Sequence, residues 1–308
     1  MRYAIEAWAP EYGASAGGID AEVIEPTAMV ERSIEIPEER WAPITPRVPA
    51  PACIAFVDGI SRVDAQVWIS EESGDMRPGL CATYAAGAVL CDGTARVADP
   101  RVHRGLFTSS GAAKPISTSH AIYEVRPSAG GMEELSLAVV ERMRALEADV
   151  ARAVTGADLI VLDGLLWGRA DIAQAVGYVK SHHTPYLPAE LNALVSALQP
   201  GERTPLFLVK TTWTRFSWYM RLPGGSGHPW SGVVRCEASP DLDPQQASAL
   251  ADATTAGLPA FASSRHKDAR APANLYPIGG LERELRRRAG DSQLLLRGLL
   301  SAARAATN

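Results

Sequence analysis

From residue 53 onward the apolar positions fall into short runs whose period changes along the chain. Cys53 to Asp58 (CIAFVD) is an apolar run closed by Asp58-Gly59, and Val63 to Ile69 (VDAQVWI) alternates apolar and polar as a half-buried strand does. The few residues between them predict a hairpin. Leu80 to Leu90 (LCATYAAGAVL) predicts a third strand, and residues 92 to 130, rich in Gly, Pro and Ser, predict irregular connections. A helix is predicted over Gly131 to Thr155. There Met132, Leu135, Val139, Met143, Leu146, Val150 and Val154 recur at steps of three or four, which is one apolar face.

Leu159 to Asp163 (LIVLD) follows, a continuous apolar run suited to a strand covered on both faces. Short strands are expected at Gly177 to Lys180 and Pro205 to Lys210. An outer hairpin is expected from Trp218 to Leu222 with Gly232 to Glu237, and helices at Gln245 to Thr255, Leu281 to Arg288 and Gln293 to Ala306. This order, three strands, a helix, a strand, more strands and then helices, predicts an α/β protein with an RNase H-like core. That core is a mixed central β-sheet flanked by helices, not the regular alternation of a doubly wound fold. Residues 1 to 50 are read as an N-terminal arm and 51 to 308 as a single domain ending in C-terminal helices. Five prolines in residues 37 to 51 exclude regular helix or central strand there. The arm holds Trp8, Trp41 and Ile44, which suggests a segment that docks a partner.

With 308 residues, 46% of them hydrophobic, the chain has enough apolar material for a large core. Its net charge of -5 and pI near 5.7 argue weakly against duplex DNA binding, although a basic groove can coexist with an acidic site. The cysteines, Cys53, Cys81, Cys91 and Cys236, form no C-x-x-C pair, so zinc is not expected and buried free thiols are. No stretch has the roughly 18 apolar residues of a membrane span, and the first residues have no signal-peptide pattern. A cytoplasmic protein is expected.

Two segments share one design, IAFVDG (54 to 59) and LIVLDG (159 to 164). Side by side, they bring Asp58 and Asp163 to one spot, where like charges need a proton or a cation, and hard divalent ions take oxygen ligands. Asp-Gly is also the common turn after a strand, so either site alone says little. The helix adds a third acid. With Met143 at zero and about 100° per residue, the apolar positions span about -80° to +20° and Glu147 falls near about +40°, at the edge of the stripe. A boundary Glu can also reach water with its tip. Three acids on two strands and a helix suit two metal ions about 3.5–4 Å apart that activate a water and stabilise a leaving phosphate oxygen.

FVDGISR (56 to 62), VLDGLL (161 to 166), VGYVKSH (176 to 182), WYMRL (218 to 222) and LPAFASSRH (258 to 266) occur in an order that resembles NurA-domain nucleases, over about residues 50 to 290. Each motif is short, and their order and spacing carry the resemblance. It implies an RNase H-like fold, a homodimer, DNA end processing with Mn2+ or Mg2+ (two ions), and a HerA-type hexameric ATPase as partner in recombination repair or phage defence. It also implies that Asp58, Glu147, Asp163 and His266 are the catalytic and metal-binding residues. The family's late Pro-then-His pattern falls on Pro259 and His266, while Leu258 stands where a tyrosine is expected and Tyr276 comes later.

Lys180, Arg62, Arg215 and Arg221 are candidate DNA contacts, since phosphates take most protein–DNA bonds. Trp218 and Tyr219 could stack on a base, with core packing the simpler role. His182-His183 is a weak metal signal, and the arginines at 286 to 288 suit a solvated helix face. Two other readings stand beside the nuclease. One is a catalytically idle subunit that guides DNA into a translocase ring. The other is an actin-like-fold phosphotransferase, for which no second phosphate loop is evident.

Overall fold

The computed structural model describes residues 28–181, 186–225 and 227–307. Trp8 and the His182-His183 pair lie outside the described residues. Among the described residues the strands are β1 (Met29–Glu31), β2 (Ile54–Ser70), β3 (Met76–Cys91), β4 (Ala95–Thr108), β5 (Ile116–Ser117), β6 (Ile122–Pro127), β7 (Leu159–Asp163), β8 (Ala175–Val179), β9 (Phe207–Lys210), β10 (Thr214–Arg221) and β11 (Val233–Ala238). The helices are α1 (Met132–Ala153), α2 (Ala189–Ala197), α3 (Pro244–Gly257), α4 (Tyr276–Ala289) and α5 (Ser292–Thr307). The chain is an α/β protein built on a mixed sheet, and no described helix is long and apolar enough to cross a membrane.

The described residues fall into two compact units: those within 28–57, 89–96 and 151–279 in the first, and those within 58–88, 97–150 and 280–307 in the second. In the first, the strands run β1-β9-β10-β11-β8-β7-β2. Residues 54–57 of β2 lie parallel to β7 with Val57 opposite Leu162, and β7 is parallel to β8. From β8 to β1 every pairing is antiparallel, including the expected hairpin of β10 with β11. Tyr186, Leu187, Val195, Leu198, Phe207, Val209, Tyr219 and Val233 form a core cluster. Trp218 and Tyr219 are buried, which makes both core residues. α3 starts at a capping box in which Asp243 and Gln246 satisfy each other's backbone N–H, with Pro244 at the first helical position.

The segment before β2 belongs to this core. Trp41 lies 6.3 Å from the Phe207 ring, and Ile44 exchanges backbone hydrogen bonds with Arg203. Arg203 is almost fully buried and grips Glu35 through both terminal nitrogens, at 2.9 and 2.7 Å, while its Nε binds Asp252 at 2.7 Å.

In the second unit the strand order is β2-β3-β4-β6-β5, with β4 and β6 parallel. Cys81, Leu106, Tyr123 and Leu299 form a core cluster there. The buried Asp64 carboxylate accepts from Thr83, Tyr123 and Arg62.

Two expectations are corrected. The hairpin between Asp58 and Val63 does not form, because β2 runs unbroken for 17 residues. Gly59 does not take the left-handed φ that a tight turn there needs. Residues 92 to 130 are not irregular, since they carry β4, β5 and β6. The first ten residues of β4 are exposed or half-buried, so no alternation of apolar and polar residues announces the strand. The helix expected from 131 to 155 is α1, with Leu135, Val139, Leu146 and Val150 buried.

Candidate functional site

Asp58 lies inside β2 and is buried, and its own neighbour Gly59 donates a backbone N–H to Oδ1 at 2.8 Å. Glu147, on α1, is buried at 4% exposure. A Cβ built on Gly59 falls 2.7 Å from Glu147 Oε1 and 3.0 Å from both Glu147 Cγ and Met143 Cγ. Glycine at 59 is therefore what lets the Glu147 carboxylate lie against β2 at this position. The Asp-Gly pair, read in the sequence as a turn or a ligand approach, instead makes room for a second acid.

A third carboxylate of the same unit was not foreseen. Glu282 on α4 is buried, and one of its oxygens lies within 4.8 Å of an Asp58 oxygen. Its ion pair with Arg286 is long, at 3.8 Å. The sequence holds a signal for it. Ile278, Glu282, Leu285 and Ala289 are spaced four, three and four residues apart, so the glutamate sits in an otherwise apolar helical stripe. Asp58 and Glu282, two buried carboxylates this close, repel each other unless a proton or cation accompanies them, and oxygen donors of this kind suit a hard divalent ion.

Asp163 ends β7 in the first unit. β2 and β7 are parallel with Val57 opposite Leu162, and Asp58 and Asp163 are the next residue of each strand after that last paired position. Asp163 Oδ2 accepts from Lys180 Nζ at 2.6 Å, and Oδ1 is a buried oxygen without a hydrogen-bond partner. An orphaned carboxylate oxygen is costly unless a cation or proton meets it.

The loop after Asp163 is anchored. Gly164 N–H donates to Tyr178 O, and Leu166 N–H donates to Glu237 Oε2, both at 2.9 Å. Glu237 Oε1 also accepts from Arg215 Nε at 2.8 Å and Arg235 Nη1 at 2.6 Å, and all three side chains are buried. Arg215 further stacks on Trp213 and bonds the Tyr186 hydroxyl.

The other expected residues are placed as follows. Lys180 is tied to Asp163 and to Asn274. Arg62 bonds Asp64 and the Gly290 carbonyl, and Arg221 donates to the carbonyls of Ser231, Ser196 and Pro229. Arg62, Arg215 and Arg221 thus hold the fold together in these positions. His266 is exposed in the turn that follows Ser264. Burial pushes the Cys91 thiol up to about 11 and the Cys81 thiol, which also faces the Asp64 charge, up to about 12. All four cysteines are free. No protein-family model matches this chain, and no curated protein matches it.

Proposed function

We propose that the chain is a divalent-metal-dependent deoxyribonuclease with an RNase H-like core, of the NurA type. The observation that carries this reading is the burial of Asp58, Glu147 and Glu282 in one unit, with the orphaned Oδ1 of Asp163 on the strand that pairs with β2. The parallel run of β2, β7 and β8 in the first unit, after three strands and a helix in the chain order, supports the RNase H-like assignment.

Asp58 with Glu282, and Asp163 through its orphaned Oδ1, are proposed as carboxylates that take Mn2+ or Mg2+, and Glu147 as the further acid that the resemblance implies. Bound by these carboxylates, divalent ions would supply activation of a water and stabilisation of the leaving oxygen of a DNA phosphodiester. The protein's own part is to fix the acids on rigid elements. β2 carries Asp58, β7 carries Asp163, α1 carries Glu147 and α4 carries Glu282, and Glu237 holds the loop behind Asp163. His266 is a candidate for proton transfer from an exposed position, and Lys180 for contact with phosphate. A homodimer and a HerA-type ATPase partner belong to the same proposal.

Cleavage of linear single- and double-stranded DNA with Mn2+, Mg2+ or EDTA tests it, in wild type, Asp58→Asn, Asp163→Asn and Glu282→Gln. Loss of metal-dependent cleavage in folded variants is expected. Cleavage that survives all three substitutions places the chemistry elsewhere. A wild type that is inert both alone and with a hexameric ATPase partner supports an idle, DNA-guiding subunit instead.

A further inference from the structure

Asp163 and Lys180 are part of a longer chain of polar groups in the first unit. Lys180 Nζ bridges Asp163 Oδ2 at 2.6 Å and Asn274 Oδ1 at 3.1 Å. Asn274 Nδ2 in turn donates to Asp268 Oδ2 at 2.6 Å, and Asp268 Oδ1 accepts from the Arg270 backbone N–H. Asn274 is fully buried, so both ends of its amide are committed. Its backbone is pinned by two bonds. The Tyr178 hydroxyl donates to the Ala273 carbonyl at 2.7 Å, and Asn274 N–H donates to Arg270 O. Tyr178 is also the register partner of Asp163.

The direction of the amide follows from its partners. An ammonium only donates, so the atom facing Lys180 is the amide oxygen, and the nitrogen must then face the Asp268 carboxylate. Lys180 is a flexible side chain that would otherwise sample many positions. Here it is held between two oxygens, so its charge stays on one side of Asp163.

We propose that Asn274 is a positioning residue that holds Lys180 on Oδ2 of Asp163, leaving Oδ1 as the single oxygen with which Asp163 takes a divalent cation. The second half rests on the metal-dependent reading above, and the first half does not. In the metal-free protein Lys180 supplies part of the neutralising charge. With a cation bound, the ammonium is a neighbour of like charge that weakens binding and stays poised toward a phosphate.

The first test needs no metal. The folded protein is treated with limiting acetic anhydride, and acetylation of Lys180 is read by mass spectrometry against exposed Lys114 in the same sample. Asn274→Leu is expected to raise Lys180 acetylation at least threefold with Lys114 unchanged. The paired exchange Asn274→Asp with Asp268→Asn swaps donor and acceptor and is expected to restore the wild-type value. Should Asn274→Leu fail to fold, Asp268→Ala removes the anchor of Asn274 and is expected to give the same rise. Unchanged Lys180 acetylation in the folded variants overturns the positioning role.

The second test is calorimetric titration with Mn2+ alone. Lys180→Met is expected to bind about tenfold more tightly, because a positive neighbour of the cation is gone. Equal or weaker binding overturns the single-oxygen role of Asp163. No Mn2+ binding in wild type, with the acetylation pattern intact, leaves the Asn274–Lys180 arrangement standing and overturns the metal reading.

Discussion

The backbone N–H of Leu166 donates to Oε2 of Glu237 at 2.9 Å, and this bond ties the loop behind Asp163 to β11. Glu237 also carries Arg215 and Arg235 on its other oxygen, so one fully buried carboxylate compensates two buried guanidiniums and orders the loop. Replacing it with Gln keeps the shape and removes the charge. Glu237→Gln is expected to lower stability by roughly 3–5 kcal/mol, the cost of breaking a buried ion pair from one side. Urea unfolding measures the change, and a loss under about 1 kcal/mol would show that the arginines find other partners.

Opposite Glu237 in the β8–β11 register stands Gly177. A Cβ there falls 2.7 Å from the Leu166 backbone nitrogen and 3.1 Å from Gly164 O. Backbone cannot swing aside as a side-chain tip does, so Gly177→Ala is expected to cost about 1–3 kcal/mol. Gly59→Ala meets the Glu147 carboxylate and Met143 instead. Its expected result is a smaller loss of stability and a clear loss of Mn2+-dependent thermal stabilisation. Thermal melts of both variants with and without Mn2+ separate the two outcomes.

Glu35 makes stability depend on pH. Burial pushes its carboxyl up, but the hydrogen bonds and charge of Arg203, with Ser248 and the Leu206 N–H, outweigh burial and hold it below its ordinary 4.5. A lowered folded-state value means the carboxylate contributes stability above its unfolded value and loses it as pH falls through the folded one. The stability gap between wild type and Glu35→Gln is therefore expected to be constant near neutral pH and to shrink below 4.5. Denaturant midpoints across that range check the sign; a gap that widens on acidification contradicts it.

Burial raises all four thiols, and three of the cysteines are buried side chains. Since the thiolate is the reactive form, native protein near neutral pH is expected to take up iodoacetamide far more slowly than unfolded protein. Mass spectrometry of alkylated cysteines gives the comparison, with Cys53 the first to react.

The elements legible in the sequence are those with a strong period or an unbroken apolar run. α1 and β7 fall almost on their expected bounds, and β10 pairs with β11 as expected. β4 was hidden because its exposed first half carries Arg, Asp and Pro, where a strand and a loop look alike. β2 was cut in two because Asp-Gly usually turns, whereas here the glycine admits Glu147. The angle of Glu147 put it at the edge of the apolar stripe, where a buried or a water-reaching tip was equally open, and the fold buries it. Glu282 carries the same kind of signal on α4, in a segment whose arginines drew attention to its solvent face. The roles of Arg215 and Arg221 were illegible for another reason. A guanidinium's type is written in the sequence, but Glu237 and the carbonyl partners are brought to it only by folding.

The Glu35–Arg203 pair also sets a limit on how the chain can be shortened. Composition puts a boundary near residue 50, yet a fragment that begins there lacks β1, the strand that lies along β9. It also lacks the carboxylate that meets a guanidinium of 1% exposure, leaving Asp252 as that group's sole acidic partner. Such a fragment presents an open row of backbone donors and acceptors beside a buried charge, a pairing that invites self-association. The prolines of the arm look like a linker, but β1 and Glu35 before them are part of the folded unit.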